Sequence, residues 1–473
     1  MTRFACFGAL ALAASFASGA PAEPSWTVIE TAKDNGHLMA DISAEAPSAG
    51  PAAEIVCDRS QQYQEMEGFG GALTESSAWV LAQLPAERRA EILQRYYGAA
   101  DGIGYTLART HINSCDFSLG TWALDPVAGD TELRHFSLDP MRRWVLPLIH
   151  EAQDVAGAGR FHLLASPWSP PSWMKTNGKM TNGGGLRPEY RKAWADYFVR
   201  FVSAMDREEH IPIWALTVQN EPEAVQTWES CVFTAADERD FVRDHLGPAL
   251  AEAGMGGIRL FILDHNRDIM DKWTNTIYSD PAAAKYVWGT AIHWYVSDDF
   301  AAASRAHAAH PSKAILFTEG CNDRGEASGP WELGQWSHGE RYAHSMVNDF
   351  RNWVSGWIDW NIVLDQAGGP NHVGNFCDAP VIADTETGKV RFESSFYYIG
   401  QFSRYVRPGA RRIGSTDGPK GIESVAFANP DGSMALVVLN QGSAPVRFQV
   451  REGSAVRLGE IPAHAIQTYI ERP

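Results

Sequence analysis

Two glutamates in this sequence each stand at the end of a short apolar segment. Glu221 follows residues 213–218, which are apolar and partly β-branched, and Glu319 closes residues 314–319. Pro222 lacks a backbone donor and disfavours helical geometry at the preceding residue, so Glu221 is predicted at the carboxyl end of a strand. Glu221 is either an exposed residue of a turn or a reactive carboxyl group. The predicted elements around it distinguish these two roles.

A pair of carboxyl groups can cleave a glycosidic bond. One group protonates the departing oxygen and the other attacks the sugar carbon, and enzymes that retain the anomeric configuration hold the two about 5–5.5 Å apart. We expect Glu221 to be the acid/base, because Asn220 beside it is placed to bind the sugar 2-hydroxyl, and Glu319 to be the nucleophile. The negative charge of Glu319 is expected to raise the pKa of Glu221.

Strand-like segments alternate with helical ones through the middle of the chain. Such alternation predicts parallel strands joined by right-handed crossovers, and eight strands predict an α/β fold of the (β/α)₈ TIM-barrel type. The alternative, a doubly wound open sheet, predicts a G-x-G-x-x-G loop, which residues 68–73 lack because Leu73 stands at the third glycine. The predicted strands are 68–74, 105–111, 161–166, 213–220, 259–264, 291–295, 314–319 and 356–361.

Both chain ends have the composition of β-sheet. Residues 26–66 are turn-rich and strand-like, and residues 429–432 (N-P-D-G) are a strong hairpin signal between β-branched runs. We therefore predict a barrel over residues 68–395 and an all-β side domain built from residues 23–67 and 396–473.

In a barrel of this type the active site lies at the carboxyl ends of the strands. Polar and aromatic residues occupy those ends here, as a sugar-binding rim requires. They include Glu75, Arg109, His111, Trp168, Asn220, Glu221, His293, Tyr295, Glu319 and Trp360. Glu221 follows the fourth strand and Glu319 the seventh, on nearly opposite sides, so the two carboxyl groups can meet across the opening.

Seven motifs, in this order along the chain, resemble glycoside hydrolase family 30, with the glucosylceramidases as nearest kin. They are G-F-G-G-A-L-T at 68–74, S-C-D-F-S at 114–118, A-S-P-W at 165–168, K-T-N-G at 175–178, N-E-P at 220–222, H-W-Y at 293–295 and D-W-N at 359–361. The resemblance runs from about residue 68 to the C-terminus. It implies a barrel with a β side domain, a retaining mechanism, and no metal or organic cofactor.

The resemblance also assigns residues. It implies that Glu221 is the acid/base and Glu319 the nucleophile. It further implies a sugar site formed by Trp168, Asn220, His293, Tyr295, Trp360 and Asn375.

Three predictions depart from the family pattern or leave alternatives open. Glu75 stands where the glucosylceramidases have aspartate after G-A-x-T, and its longer side chain is expected to reach the sugar 3- and 4-hydroxyls. Trp228, in the differing loop 223–231, is either a platform for the leaving group or a packing residue. Arg109 and His111 either touch substrate or orient Glu319.

Composition excludes several other classes of protein. A net charge of −17 without a basic stripe argues against a nucleic-acid partner, and 45% hydrophobic with 21% charged residues is typical of a globular protein. The 17 tryptophans suit stacking on sugar rings as well as core packing. Residues 150–154 (H-E-A-Q-D) lack the second histidine of a zinc protease, and no G-x-S-x-G elbow occurs.

The N-terminus is typical of a secretory signal. Arg3 precedes the apolar residues 4–17, and A-P-A at 20–22 suits cleavage, so the mature chain would begin at Glu23 and be secreted or periplasmic. No later stretch reaches ~18 apolar residues, so we expect no stable membrane insertion. Five cysteines would remain; they are scattered and form no C-x-x-C pair, so we expect mostly buried free thiols, with one or two disulfides possible.

The sequence is therefore interpreted as an exported retaining β-glycosidase whose partner is a carbohydrate or glycolipid substrate, either glucosylceramide-like or a β-glucan. β-1,6-Glucanase, β-xylosidase and xylanase activities of the same family are alternatives. A catalytically silent carbohydrate-binding protein is the alternative from another class. A membrane substrate would require an apolar rim, for which Trp331, Leu333 and Trp336 are the candidates.

Overall fold

The computed structural model describes residues 25–45, 53–157, 159–324 and 332–472, together with Met1 and Pro47. The expected signal segment and Trp331 lie outside the described residues. Within the described part, no helix combines the length and apolarity needed to cross a bilayer. All five described cysteines are free and buried, which confirms the expectation of buried thiols.

The first three strands precede the barrel and belong to the side domain. They are β1 (Ser25–Ala32), β2 (His37–Asp41) and β3 (Ala53–Glu65). β1 and β2 form an antiparallel pair, and β3 is long enough to pair with two different C-terminal strands.

The predicted TIM barrel is confirmed. Eight strands form a closed parallel ring, which is completed where Gly356 of the last strand pairs with Gly68 of the first. These strands are β4 (Gly68–Ala72), β5 (Leu107–Ile112), β6 (His162–Pro167), β7 (Ile213–Thr217), β8 (Arg259–Asn266), β9 (Gly289–His293), β10 (Ala314–Glu319) and β11 (Gly356–Asn361).

Helices cover the outside of the barrel. Residues 75–97 form two helices rather than one, because Pro85 lacks the backbone donor that a continuous helix needs. Helix 235–254 is interrupted by a π-helical turn over Val242–Leu246. The helices are α1 (Glu75–Gln83), α2 (Ala86–Tyr97), α3 (Asp139–Arg142), α4 (Val145–Ala156), α5 (Arg191–Arg207), α6 (Ala235–Phe241), α7 (Gly247–Glu252), α8 (Met270–Tyr278), α9 (Pro281–Ala284), α10 (Ala301–Ala309), α11 (Trp336–Arg351) and α12 (Ser394–Ser403).

Apolar side chains from seven of the eight strands fill the inside of the barrel. They are Leu107, Leu164, Ala215, Phe261, Ala291, Leu316 and Ile358, all fully buried. The eighth strand, β4, has Gly70 in register with Leu107 and Ile358. Because this layer closes the barrel from below, a ligand can enter only at the carboxyl ends of the strands.

Both chain ends form the side domain, as predicted. β1 pairs with the last strand over eight positions, from Ser25 opposite Arg472 to Ala32 opposite Ala465. β3 lies between strands Val446–Glu452 and Arg411–Ser415 in a nine-stranded sheet. The boundary expected at residue 396 falls inside α12, and the sheet resumes at Arg411. The later strands are β12 (Leu364–Asp365), β13 (Val381–Ala383), β14 (Val390–Phe392), β15 (Arg411–Ser415), β16 (Ile422–Ala428), β17 (Met434–Asn440), β18 (Val446–Glu452), β19 (Ala455–Ile461) and β20 (Ala465–Arg472).

Gly70 offers a test of barrel closure. A Cβ atom at this position would lie 2.0 Å from the Leu107 carbonyl oxygen, so Gly70→Ala must push β4 and β5 apart. We expect the free energy of unfolding in urea to fall by about 3 kcal/mol or more. Gly257→Ala is the matched control, because a Cβ there meets no atom within 4 Å; equal stability losses in the two variants would contradict this account.

Candidate active site

A cavity of about 270 Å³ opens at the carboxyl ends of the barrel strands. Its walls come from the last residues of β8, β10 and β11 and from the segments that follow β5, β6, β7, β9, β10 and β11. The lining residues are Asp116, Trp168, Asn220, Glu221, Gln226, Trp228, His265, Asn266, Tyr295, Val296, Glu319, Cys321, Asp323, Trp360, Asn375 and Cys377.

The structure brings Glu221 and Glu319 together in this cavity. One carboxylate oxygen of each, with one ring nitrogen of His293, all lie within 4.8 Å of one another. Glu221 has a left-handed backbone with φ of 45°, and its amide donates to the Asp264 carbonyl oxygen at 2.9 Å. This corner turns the Glu221 side chain away from the strand direction and into the cavity.

Arg109, fully buried at the centre of β5, fixes the nucleophile side of the pair. Its Nη1 donates to Glu319 Oε2, and its Nη2 donates to Asn220 Oδ1 and to Asp264 Oδ2, both at 2.8 Å. The guanidinium also lies 4.8 Å from the Trp168 ring. Of the two roles predicted for Arg109, this geometry fits the orienting one.

Asp264 is the buried anion that balances Arg109. Its carboxylate also accepts hydrogen bonds from Thr217 Oγ1 and Thr318 Oγ1, each at 2.6 Å, and from His293 Nε2 at 3.0 Å. Burial alone would raise the pKa of Asp264, but Arg109 and His293 outweigh burial and hold it well below its usual range. Asp264 is therefore a permanent anion.

A local irregularity of β8 aims Asp264 inward. Leu263 and Asp264 have positive φ angles of 72° and 50°, and the pairing with β9 shifts register between Leu263 and His265. A shift of this kind is typical of a β-bulge, which redirects side chains near active sites. Without it, Asp264 and its neighbours could not all face the barrel axis.

His293 links Asp264 to Glu221. Its Nδ1 lies 3.3 Å from Glu221 Oε1, and its Nε2 is bonded to Asp264. Burial opposes protonation of His293, but the charge of Glu319 and the hydrogen bonds to Asp264 and Glu221 prevail and raise its pKa to about 9. A protonated imidazole has no lone pair for a cation, so His293 in this state does not serve as a metal ligand.

The position of His293 changes the pKa predicted for Glu221. Burial favours a raised pKa for Glu221, but the hydrogen bond from His293 and the charge of His265, 3.8 Å away, lower it below the ordinary value. The raised pKa expected for Glu221 is therefore wrong for the free site, because these two histidines outweigh its acidic neighbours. The proton expected on Glu221 is held by His293, one hydrogen bond away.

Glu319 is buried and held by two donors. Tyr295 donates its hydroxyl to Glu319 Oε1 at 2.9 Å, and Arg109 holds the other oxygen. Burial raises the pKa of Glu319 above its ordinary value, against the opposing charges of His293 and Arg109. The two donors fix the positions of both carboxylate oxygens.

Two tryptophans form an apolar wall beside the carboxylates. The rings of Trp168 and Trp360 stack with centroids 5.3 Å apart at an interplanar angle of 24°. Both are almost fully buried, so little of either ring is free except at the cavity. A flat apolar wall next to two carboxylates is suited to the C–H face of a sugar ring.

Asp116, rather than Glu75, lines the cavity. Asp116 lines the cavity, and its Oδ1 is buried without a hydrogen-bond partner, while Oδ2 accepts from Asn375 Nδ2 at 3.0 Å. Burial and the charge of Glu319 raise the pKa of Asp116 to about 8. Glu75 does not line the cavity, because its Oε2 is bound by Trp122 Nε1 at 2.9 Å and by the Leu119 amide.

Some of the remaining predicted residues line the cavity, and others lie behind its wall. Trp228 and Asn375 line the cavity, whereas His111 lies behind it and accepts a hydrogen bond from the Glu75 amide at 3.1 Å. Sequence reasoning missed the cavity residues Asp116, Gln226, His265, Asn266, Val296, Cys321, Asp323 and Cys377. Asp116 alone had a signal, because it lies within the S-C-D-F-S motif.

The comparisons with known proteins agree with this architecture. Residues 66–406 match the glycosyl hydrolase family 30 TIM-barrel domain, and residues 409–469 match the family's beta sandwich domain. Lysosomal acid glucosylceramidase of Mus musculus is 34% identical over 478 residues, covering 96% of this chain and 90% of that protein. Endo-1,6-beta-D-glucanase of Neurospora crassa is 30% identical over 431 residues, covering 87% and 86%. The crystal structure of SrfJ from Salmonella typhimurium superposes with a TM-score of 0.88 at 35% identity, covering 95% of this chain and 99% of that one.

Asp264→Asn tests the buried ion pair. The change leaves Arg109 without its fully buried counter-ion, so we expect the free energy of unfolding to fall by about 3–5 kcal/mol, measured by urea denaturation. Asp271→Asn breaks the exposed pair with Arg305 and should cost at most about 1 kcal/mol. A loss in Asp264→Asn no larger than in this control would contradict the assigned role.

Proposed function

The chain belongs to glycosyl hydrolase family 30, and on this basis we propose that it hydrolyses β-glucosidic bonds with retention of anomeric configuration. The observation that carries the proposal is the approach of Glu221 and Glu319, whose nearest oxygens lie within 4.8 Å. Retaining enzymes hold their carboxyl groups about 5–5.5 Å apart, whereas inverting enzymes need about 6.5–9.5 Å to admit a water molecule. The short separation supports the retaining mechanism.

In the first step, Glu319 attacks the anomeric carbon and forms a bond to it while the glycosidic oxygen leaves with a proton from Glu221. Arg109 and Tyr295 fix both oxygens of the nucleophile, so little reorganisation is needed as the bond forms. In the second step, Glu221 takes a proton from water, and the resulting attack releases the sugar from Glu319 with its original configuration.

His293 supplies the proton that the first step requires. In the free site, this proton is held on His293, 3.3 Å from Glu221. Substrate binding expels water and brings the glycosidic oxygen to Glu221, and the developing negative charge on that oxygen draws the proton along the hydrogen bond. Glu221 thus acts as a general acid despite its lowered pKa.

The size of the cavity supports action on a terminal sugar. A volume of about 270 Å³ is near the lower limit for ligand pockets, which fits one sugar ring better than a chain of rings. Asp116 and Asn375 are placed for the hydroxyl groups, and the Trp168–Trp360 wall for the apolar ring face. We therefore propose an exo-acting enzyme.

The mouth of the cavity supports an apolar leaving group, as in glucosylceramide. Val296 lines the cavity and is 64% exposed, and Val225, which precedes the lining residue Gln226, is 67% exposed. An exposed valine in the cavity wall, with a second exposed valine in the neighbouring loop, favours a lipid chain over a polar sugar. Trp336, one of the expected rim residues, is half-buried, donates to Tyr398 Oη at 3.0 Å and does not line the cavity.

A β-1,6-glucanase is the second candidate. Gln226, Asn266 and Asp323 line the leaving-group side of the cavity and could bind the hydroxyls of a second glucose. The fungal relative of that name is also 30% identical to this chain.

For the place of action, we propose export on the strength of the N-terminal segment, which lies outside the described residues.

An aryl β-glucoside assay tests the enzyme proposal. We expect turnover by the parent protein and its loss in Glu319→Gln, because the amide cannot act as the nucleophile. Glu221→Ala should be partly rescued by azide with a good leaving group, since azide needs no general base. If the parent protein and Glu319→Gln both fail to turn over the aryl β-glucoside, a catalytically silent sugar-binding protein is favoured.

The first product and the substrate range separate the remaining alternatives. Proton NMR should show a β-configured first product, and an α-configured one would overturn the retaining mechanism. A panel of glucosylceramide, β-1,6-glucan and aryl β-xyloside should show the highest kcat/KM for glucosylceramide. Preference for β-1,6-glucan would establish the second candidate instead.

The pH profile tests the role of His293. Its raised pKa means that the shared proton is present at low pH and is lost as the pH rises toward about 9. In His293→Asn, Glu221 must hold the proton alone, so the alkaline limb of kcat/KM should move to lower pH. His162→Asn, at the opposite end of the barrel, is the control. If the alkaline limb of kcat/KM in His293→Asn stays where it is in the parent, His293 does not supply the proton.

A further inference from the structure

Two free cysteines lie together in the wall of the cavity. Cys321 follows β10, two residues after Glu319, and Cys377 lies in the segment between β12 and β13. Both line the cavity, and both are almost fully buried from bulk solvent, at 3% and 2% exposure. The mechanism proposed above uses neither thiol.

Backbone pairing holds the two cysteines next to each other. Asp323 forms an antiparallel bridge with Cys377, and the Asp378 amide donates to the Asn322 carbonyl oxygen at 2.8 Å. The thiols of Cys321 and Cys377 are hydrogen-bonded to each other. Because main-chain bonds fix both segments, this thiol pair is a permanent feature of the cavity wall.

The pair is directly connected to the nucleophile. Cys321 Sγ lies 3.6 Å from the Tyr295 hydroxyl, which donates to Glu319 at 2.9 Å. On the other side, Cys377 Sγ lies 4.0 Å from the Asn375 carbonyl oxygen. The rest of the surroundings is largely apolar and includes the Trp360 ring. A group bound by both sulfurs would therefore occupy space beside Glu319.

Two adjacent thiols in an apolar wall have a specific ligand preference. The pKa of both thiols is raised: for Cys377 the hydrogen bond to Cys321 lowers the pKa, but burial and the nearby acidic groups outweigh it, and for Cys321 burial is the main cause. Neither thiol therefore reacts readily by itself as a thiolate. A soft cation can replace both protons at once, because paired thiolate sulfurs are the ligands that Cu(I) and similar ions prefer. Carboxylate and hydroxyl oxygens nearby are too hard to compete for such an ion.

We propose that Cys321 and Cys377 form a two-thiol site for a soft, thiophilic cation, and that an ion bound there blocks the sugar subsite beside Glu319. Binding forms two sulfur–cation bonds and releases the two thiol protons, with no change of oxidation state. The blocking part rests on the proposed function; the cation site does not.

Phenylarsine oxide is the probe, because trivalent arsenic needs two neighbouring thiols. Its arsenic forms one bond to each sulfur, and its oxygen leaves as water with the two thiol protons. The full chain is treated, and the bound equivalents are counted by intact-protein mass spectrometry. We expect one equivalent on the parent protein, removable by 2,3-dimercaptopropanol, and none on Cys377→Ser or Cys321→Ser.

Cys115→Ser is the matched control. Cys115 belongs to the same apolar cluster, but its Sγ accepts from Ser118 Oγ at 3.8 Å rather than facing the pair. This variant should bind one equivalent like the parent. Absence of the adduct on the parent, or its persistence on both Cys377→Ser and Cys321→Ser, would overturn the site.

Activity, expressed relative to each untreated protein, tests the blocking part. Phenylarsine oxide should reduce aryl β-glucoside turnover by the parent and by Cys115→Ser to the background of Glu319→Gln, and should leave the relative activity of Cys377→Ser unchanged. An adduct with undiminished turnover would overturn the blocking part alone. An inactive parent that still forms the adduct would overturn the proposed function and leave the cation site standing.

Discussion

The ion pair between Arg109 and Asp264 is the interaction on which the site depends. Both side chains are fully buried, and a buried charge is tolerated only when it is paired and hydrogen-bonded. The pair is satisfied by groups from β5, β7, β8, β9 and β10, so five strands must be in register before either charge is neutralised. Closing the barrel in register therefore assembles the two carboxylates of the cavity at the same time.

The same pair determines the charge balance of the cavity. The charges of Arg109 and Asp264 cancel each other. The remaining titratable groups, His293, Glu221 and Glu319, then share one proton. Because the imidazole is anchored at Nε2 by Asp264, its Nδ1 has a single direction, toward Glu221. A structural ion pair thus decides which of two similar glutamates receives a proton.

Sequence alone could predict the barrel, the side domain and the two glutamates, because strand alternation and strand ends are local signals. It placed Glu75 at the sugar site, whereas the structure leaves Glu75 out of the cavity lining and binds its carboxylate to Trp122, a contact that no motif encodes. It also missed His293 as the proton holder, because the pKa of a buried group depends on partners from other strands. The pairing of Cys321 with Cys377 is equally invisible, since it follows from a bridge between two irregular segments.

The strand order of the side domain has a consequence for synthesis of the chain. β3 is made early, yet both of its neighbours, β15 and β18, lie in the last part of the sequence. β1 likewise waits for β20, the final strand. An unfinished chain therefore carries open sheet edges at its N-terminal end, which invite pairing with other chains. The N-terminal strands can therefore complete their pairing only after the chain has been made through β20.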